Sequence, residues 1–226
     1  MDAIESLFEA IRAGDLAVVA ARLDAEPALA SARDANGLPA VMAAAYHGRR
    51  DVVALLLERG AALRPHEAAA VGDVDRLRAA LDADPGAIAR FSADGWTALH
   101  LAAFFGHADA VRLLLERGAS PVAVSTNALA NHPLHAALAG PTLGVDGVAL
   151  LLDAGADVNA RQHGGYTALH AAAMHGDAAM LRLLLERGAD PSVPADDGKT
   201  AEAFAREKGH AAVADALAHA GAPIIT

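Results

Sequence analysis

Three stretches of the chain read alike, and their spacing constrains the fold more than any other feature. Gly95-Trp96-Thr97-Ala98-Leu99-His100 returns as Gly165-Tyr166-Thr167-Ala168-Leu169-His170, and Gly198-Lys199-Thr200-Ala201 starts the pattern once more, 33 residues after Gly165. A second block, Leu55-Leu56-Leu57-Glu58-Arg59-Gly60-Ala61, recurs as Leu113–Ala119 and as Leu183–Ala189. Self-similarity at such a period signals stacked supersecondary units, each unable to bury its apolar face alone.

The residues within one unit predict two helices. Thr97, Thr167 and Thr200 stand where a hydroxyl can satisfy the free N–H groups of a helix start. Gly14, Gly48, Gly72, Gly106, Gly176 and Gly209 mark the end of the first helix, where a left-handed residue is wanted. The leucine triplets line the second helix, which Gly60, Gly118, Gly155 and Gly188 terminate. Counting mid-unit glycines predicts seven units, one of them without its glycine in register.

A longer period lies over the short one. Gly14 and Gly72, Pro27 and Pro85, Gly37 and Gly95, Gly48 and Gly106, and Gly60 and Gly118 are all 58 residues apart. Residues 5–63 and 63–121 therefore read as a tandem duplication of a two-unit block. Between the blocks, Gly48 and Gly72 are only 24 apart, so one connecting finger is expected to be largely missing. The fifth unit is longer instead, with extra residues expected in Pro121–Asn127 and in Gly140–Gly144. Charged residues near both ends (Asp2, Glu5, Glu9, Arg12; Glu202, Arg206, Glu207, Lys208, Asp215) suit caps that face water.

These motifs strongly resemble the ankyrin repeat, with its Thr-Pro-Leu-His helix start and Leu-Leu-Leu…Gly-Ala-Asp helix end. The resemblance implies an all-α, ankyrin-type helix–turn–helix solenoid of about seven repeats including caps, with a hairpin-like finger before each helix pair. On that basis residues 1–226 form a single domain. Its parts are an N-terminal cap at about 2–33, the tandem blocks, an atypical repeat at 122–157, a regular repeat at 158–190 and a C-terminal cap at 195–221.

Composition agrees and narrows the function. Hydrophobic residues make up 54% of the chain but aromatics only 4%, so the core must be mostly small aliphatic side chains, suited to close helix packing. A net charge of −10 argues against nucleic acid and anionic membranes as partners. No cysteine is present, which excludes disulfides, thiolate metal sites and cysteine nucleophiles and fits a reducing compartment. With no signal peptide and no apolar run long enough to span a bilayer, a cytoplasmic location is expected.

In an ankyrin-like stack the partner lies along the concave side, built from finger tips and first helices. Carried over position by position, the resemblance makes Trp96, Phe104, Phe105, Tyr166, Met174, His175, Tyr46, His47, Arg117 and Arg187 the candidate partner-binding residues. Five of the eight aromatic rings fall at these positions, and Trp, Tyr and Arg dominate interface hot spots. The competing reading is that the rings pack against neighbouring fingers. Trp96, Phe104, Phe105, Tyr166 and Met174 are expected to form one central exposed patch, with Arg59, Arg117 and Arg187 at its margin.

Enzyme motifs are absent: there is no Gly-x-Ser-x-Gly elbow, phosphate loop or dinucleotide fingerprint. His100, His135 and His170 stand in the helix-start motif, where the family uses histidine to bond backbone and Thr hydroxyls; His66 is aligned with them. A metal-dependent hydrolase would need a cluster such as His132, His163 and His175. The leading expectation is a non-catalytic, monomeric adaptor that binds another protein, without cofactor or metal; an assembly or stability factor for a co-expressed enzyme would use the same surface.

Overall fold

The computed structural model describes residues 2–140 and 143–220. Among them the chain forms fourteen α-helices and no strand, so the all-α helical solenoid expected from the repeats is the fold observed. The helices fall into seven antiparallel pairs. These are α1 (Ala3–Ala13) with α2 (Leu16–Ala25), α3 (Ala40–Tyr46) with α4 (Arg50–Glu58), α5 (Pro65–Val71) with α6 (Val74–Ala83), and α7 (Ala98–Phe104) with α8 (Ala108–Glu116). They continue with α9 (Pro133–Ala139) and α10 (Gly144–Asp153), α11 (Ala168–His175) and α12 (Ala178–Glu186), and α13 (Ala201–Glu207) and α14 (Ala211–Ala220). The Pro27 and Pro85 linkers of the two blocks form matching 3-10 turns, Pro27–Ser31 and Pro85–Ala89.

First helices stack on first helices through alanine. Ala68–Ala70, Ala98, Ala102, Ala103, Ala136, Ala168, Ala172 and Ala173 are all buried, which lets neighbouring helix axes approach closely. Second helices are amphipathic: in α8, Val111 and Leu114 are fully buried, while Arg112 and Glu116 face out. The mid-unit glycines adopt positive φ as expected, and at Gly14, Gly72 and Gly176 there is a second reason for glycine. The side chains of Arg49, His107 and His210 lie where a Cβ would stand, donating to the Arg12, Ala70 and Met174 carbonyls at 2.9, 3.0 and 3.1 Å. Each of these donors belongs to the repeat after its glycine. Asp15, Asp73 and Asp177, which follow the same glycines, instead cap their own second helices.

The histidines of the helix-start motif tie each repeat to the next. His100 Nδ1 takes a hydrogen bond from the Thr97 hydroxyl at 2.8 Å, and its Nε2–H donates to the Asn131 carbonyl of the following repeat at 3.1 Å. His135 reaches the Ala160 and Tyr166 carbonyls, and His170 reaches that of Lys199. Repeat three divides this role between two residues. Glu67, not His66, holds the position of His100 in the box, accepting from the Arg64 amide at 2.8 Å, whereas His66 bonds the Arg90 carbonyl at 2.9 Å. The alignment of His66 with the other three is thus corrected: α5 has one residue fewer between its N-cap and its terminal glycine.

The fingers are hairpin-like turns closed by Asp34 N–H to Leu38 O, Ser92 to Trp96, Ser125 to Asn131, Gln162 to Tyr166 and Ala195 to Lys199. In the fifth repeat the closing bond spans six residues rather than four, so its extra residues sit at the finger tip itself. Pro141 and Thr142 of the second expected extension, and the apolar tail at 223–225, lie outside the described residues. Repeat three has no finger: Ala61–Arg64 runs directly from α4 into α5. Here α4 and α6 also lose the extensive contact that every other consecutive pair of second helices keeps. The buried apolar side chains accordingly form two clusters, one built mainly on α1–α4 and the other running from α5 to α14.

Candidate functional site

The C-terminal ends of the first helices carry six of the ten residues singled out from the sequence, and the structure sorts the ten into different environments. Tyr46 ends α3, Phe104 ends α7 and Phe105 caps it. The helix between them, α5, offers only Ala69, Ala70 and Val71 at its end, so the rings of repeats two and four meet over it. Tyr46 lies 6.4 Å from Phe104 and 5.3 Å from Phe105 between ring centroids, and Phe104 and Phe105 are edge-to-face at 5.0 Å. The Tyr46 hydroxyl donates to the Asp94 carboxylate in the fourth finger. Burial first, and then this carboxylate, push the Tyr46 phenol above its ordinary pKa.

Trp96 departs from the expectation of an exposed position. It is only 8% exposed, edge-on to Phe104 at 5.0 Å and stacked on His100, and it belongs to the apolar cluster shared with Ala44, Ala70 and Leu101. A ring at the base of a finger fills the wedge between first helices, which the small side chains of α5 leave open. Phe104 and Phe105 are half-buried, whereas Tyr46 is 38% exposed and His47 beside it is exposed. The ridge that a partner could touch is therefore Tyr46, His47, Phe104 and Phe105, with Trp96 as its foundation.

Nor do the candidates form one central patch. Tyr166 packs 5.6 Å from Phe204 and 5.9 Å from His170, with Lys199 over the Phe204 ring, in a separate cluster of repeats six and seven. Met174 is half-buried and His175 exposed at the end of α11. Arg117 and Arg187 are not at the margin of the aromatic ridge. They sit at the ends of α8 and α12 and pair with Asp82 and Asp153 of the preceding second helices at 2.6 and 2.5 Å, and Arg59 pairs likewise with Asp24. This Arg–Asp rung recurs along the row of second helices.

Some exposed apolar side chains escaped the sequence reading. Val122, Val124 and Leu129 project from the long fifth finger, and Phe91 stands 43% exposed before the fourth. Phe91 had a signal: it lies 58 residues after Arg33, an apolar residue where the sister block has a cation. Among the described residues no three His, Asp or Glu side chains converge to hold a metal, so His132, His163 and His175 are not brought together. Burial drives the pKa of His100 and His135 down to about 4, and lowers that of His170, which leaves these imidazoles neutral and bonded rather than poised for acid–base work.

Stacked helix pairs, glycine-ended first helices and inter-repeat fingers define the class: a helical repeat solenoid, whose functional surface is a long array of units rather than a cleft. Two stretches, residues 65–162 and 134–226, match the family described as Ankyrin repeats (3 copies), and the chain belongs to the ankyrin-repeat family. It is 43% identical over 89 residues to the B-cell lymphoma 3 protein homolog of Mus musculus, covering 39% of this chain and 19% of that protein. It is 44% identical over 79 residues to the Neurogenic locus Notch protein of Drosophila melanogaster (35% of this chain, 3% of that protein). With Ankyrin repeat domain-containing protein 53 of Homo sapiens it shares 36% identity over 113 residues (48% and 21%). The matches thus span about a fifth or less of those relatives' own length. Ankyrin repeats are protein-interaction modules, and among the described residues no helix is long and apolar enough to cross a membrane.

Proposed function

We propose that the chain is a non-catalytic, cytoplasmic adaptor that binds one folded protein partner, as a monomer, through the concave side formed by its first helices and fingers. The observation that carries this reading is the ridge of Tyr46, Phe104 and Phe105. In a protein whose core is built from Ala, Leu and Val, three of eight aromatic rings stand together, partly exposed, over a helix of alanines. Partly exposed aromatic clusters of this kind are the usual anchors of an interface. His47 beside the ridge, and Met174 and His175 further along the same row of helix ends, extend the surface. The lack of cysteine supports a reducing compartment, and the negative charge supports a protein partner over a polyanion.

Affinity capture from the native organism's lysate with the wild-type chain beside Phe105→Ala and Tyr46→Ala/Phe105→Ala tests the reading. A protein held by wild type and lost in step with the two variants, all three melting cooperatively, is the expected result. Equal capture by all three would move binding off the ridge.

A further inference from the structure

The missing third finger leaves a slot, and we propose that this slot docks an acidic, turn-forming segment of a partner protein as a surrogate finger. The inference rests on the protein-binding reading but uses a different surface. The slot is a cavity of about 700 Å³ lined by the second finger, by Arg64, His66 and Glu67 at the start of α5, and by Asp84, Ala87 and residues 90–94 leading into the fourth finger. That volume is within the range of ordinary ligand sites.

The chain shows what a finger does at such a place. Fingers four to seven are linked by backbone bonds. The Thr126 N–H donates to Gly95 O, the His163 N–H to Leu129 O and the Asp196 N–H to Gly164 O, each at 2.9 Å. The donor is always the second residue of the later finger. In the fourth finger that residue is Ala93, which is exposed, and its N–H has no acceptor among the described residues. On the other wall, Gly37 O is the counterpart of Gly95 O. Among the described residues it accepts only from the guanidinium of Arg33, just before its own finger, at 2.9 Å, and a carbonyl has a second lone pair to offer. The slot thus presents a donor and an acceptor, one on each wall, where an inserted turn would need them.

The lining holds Arg33, Arg64 and Arg90 beside Glu67, Asp84 and Asp94. Asp84 already pairs with Arg90 and Asp94 already accepts from Tyr46, so Arg33 and Arg64 are the charges left to an occupant. Before the sixth finger, Arg161 occupies the place that Arg33 holds before the second, and it pairs with Asp196 of the next finger at 2.8 Å. With no third finger to supply that aspartate, Arg33 turns to Glu67 at 2.8 Å. Arg64 at the mouth is exposed and has no ion-pair partner among the described residues. A segment with carboxylates at the tip of a tight turn, as in Asp196-Asp197-Gly198, would meet both cations, the free Ala93 N–H and the second lone pair of the Gly37 carbonyl. An exposed apolar wall at Phe91 would cover its flank.

The test uses a fluorescein-labelled peptide with the sequence of residues 193–200, cyclised head to tail so that its turn is pre-formed. Saturable anisotropy with the wild-type chain is expected. Binding should weaken at least tenfold for a peptide with both aspartates changed to Asn, and for the Arg64→Glu chain. Ala93→Pro should weaken it similarly, because Ala93 is the second residue of a β-turn, a place that favours Pro, and the change removes only the N–H. Unchanged melting of both variants keeps the comparison clean, and Phe105→Ala should bind the peptide as wild type does, which separates this site from the ridge. No saturable binding up to millimolar peptide would overturn the proposal, as would equal binding to all variants. A dimer that forms in wild type and is lost in Arg64→Glu would overturn it too, by making a second copy the occupant.

Discussion

The Tyr46 hydroxyl donates to the Asp94 carboxylate across a repeat that has no finger of its own. The bond joins the two 58-residue blocks at the seam where α4 and α6 lack the extensive contact of other second-helix pairs, and does so from the first-helix side. Tyr46→Phe removes it and leaves the ring, so about 1–2 kcal/mol of stability should be lost, the range for a hydrogen bond to a charged group on a partly exposed site. Urea denaturation reads this, and Asp94→Asn in the Tyr46→Phe background should add little. A spectrophotometric titration gives an independent check. One of the two tyrosines should resist ionisation above the ordinary phenol range, and Tyr46→Phe should abolish that resistant step. If no step above the ordinary phenol range is lost on Tyr46→Phe, the bond does not exist in solution.

Trp96 works on the same seam from inside. It belongs to the apolar cluster of the first repeats although it is carried by the fourth. Trp96→Ala should therefore cost about 3–5 kcal/mol, as for other buried aromatic truncations. It should also split the unfolding curve, with repeats one and two melting ahead of the rest. Far-UV circular dichroism against urea would show the second step. A single transition with a shift under about 1 kcal/mol would mean that Trp96 is not part of the core, against the burial described above.

What the sequence could and could not tell follows from the kind of signal each feature leaves. The helix pairs, the glycine-ended first helices and the absent finger were legible because periodicity and residue counts record them directly. The burial of Trp96 was not. Its position belongs to a surface site in the repeat, and only the small Ala69-Ala70-Val71 end of the neighbouring helix opens the space that the ring fills. Arg117 and Arg187 were misplaced for a related reason: the carboxylates that hold them come from the preceding repeat, about 35 residues earlier, and a repeat read one unit at a time does not show its neighbours. The pairing of the Tyr46 and Phe105 rings across α5 likewise depends on that small helix end, because no single repeat shows which side chains its neighbour leaves short.

The Arg–Asp rungs lead to a modest expectation. Arg59–Asp24, Arg117–Asp82 and Arg187–Asp153 have side chains that are about a third exposed for the arginines and well exposed for the aspartates. Such pairs contribute up to about 1 kcal/mol each. Changing Arg117 and Arg187 together to Ala should lower stability by no more than about 2 kcal/mol, with the difference from wild type shrinking in 0.5 M salt as the charges are screened. Partner capture should be unchanged, since both residues are held in the second-helix row. Loss of capture in a stably folded double variant would return them to the binding surface.

Acid should loosen the stack through its buried imidazoles. His100 and His135 are buried, each donates from Nε2 to a carbonyl of the next repeat, and burial holds both pKa values at about 4 against 6.5 in an unfolded chain. Because the folded values are depressed, the unfolded chain binds protons first as pH falls. The stability these groups contribute is complete above about pH 6.5 and is lost progressively between 6.5 and 4. At pH 5 the loss should be roughly 2 kcal/mol for each histidine, on the scale of about 1.4 kcal/mol per pH unit, while most carboxylates remain ionised. Urea midpoints at pH 7.5 and pH 5 measure it. His100→Gln/His135→Gln should be less stable than wild type at pH 7.5, since the glutamine amide cannot reproduce both bonds of the imidazole, yet show a much flatter dependence on pH. A wild-type midpoint that does not move between the two pH values would mean that these imidazoles are not held neutral in the folded stack, and the inter-repeat bonds assigned to them would fail with it.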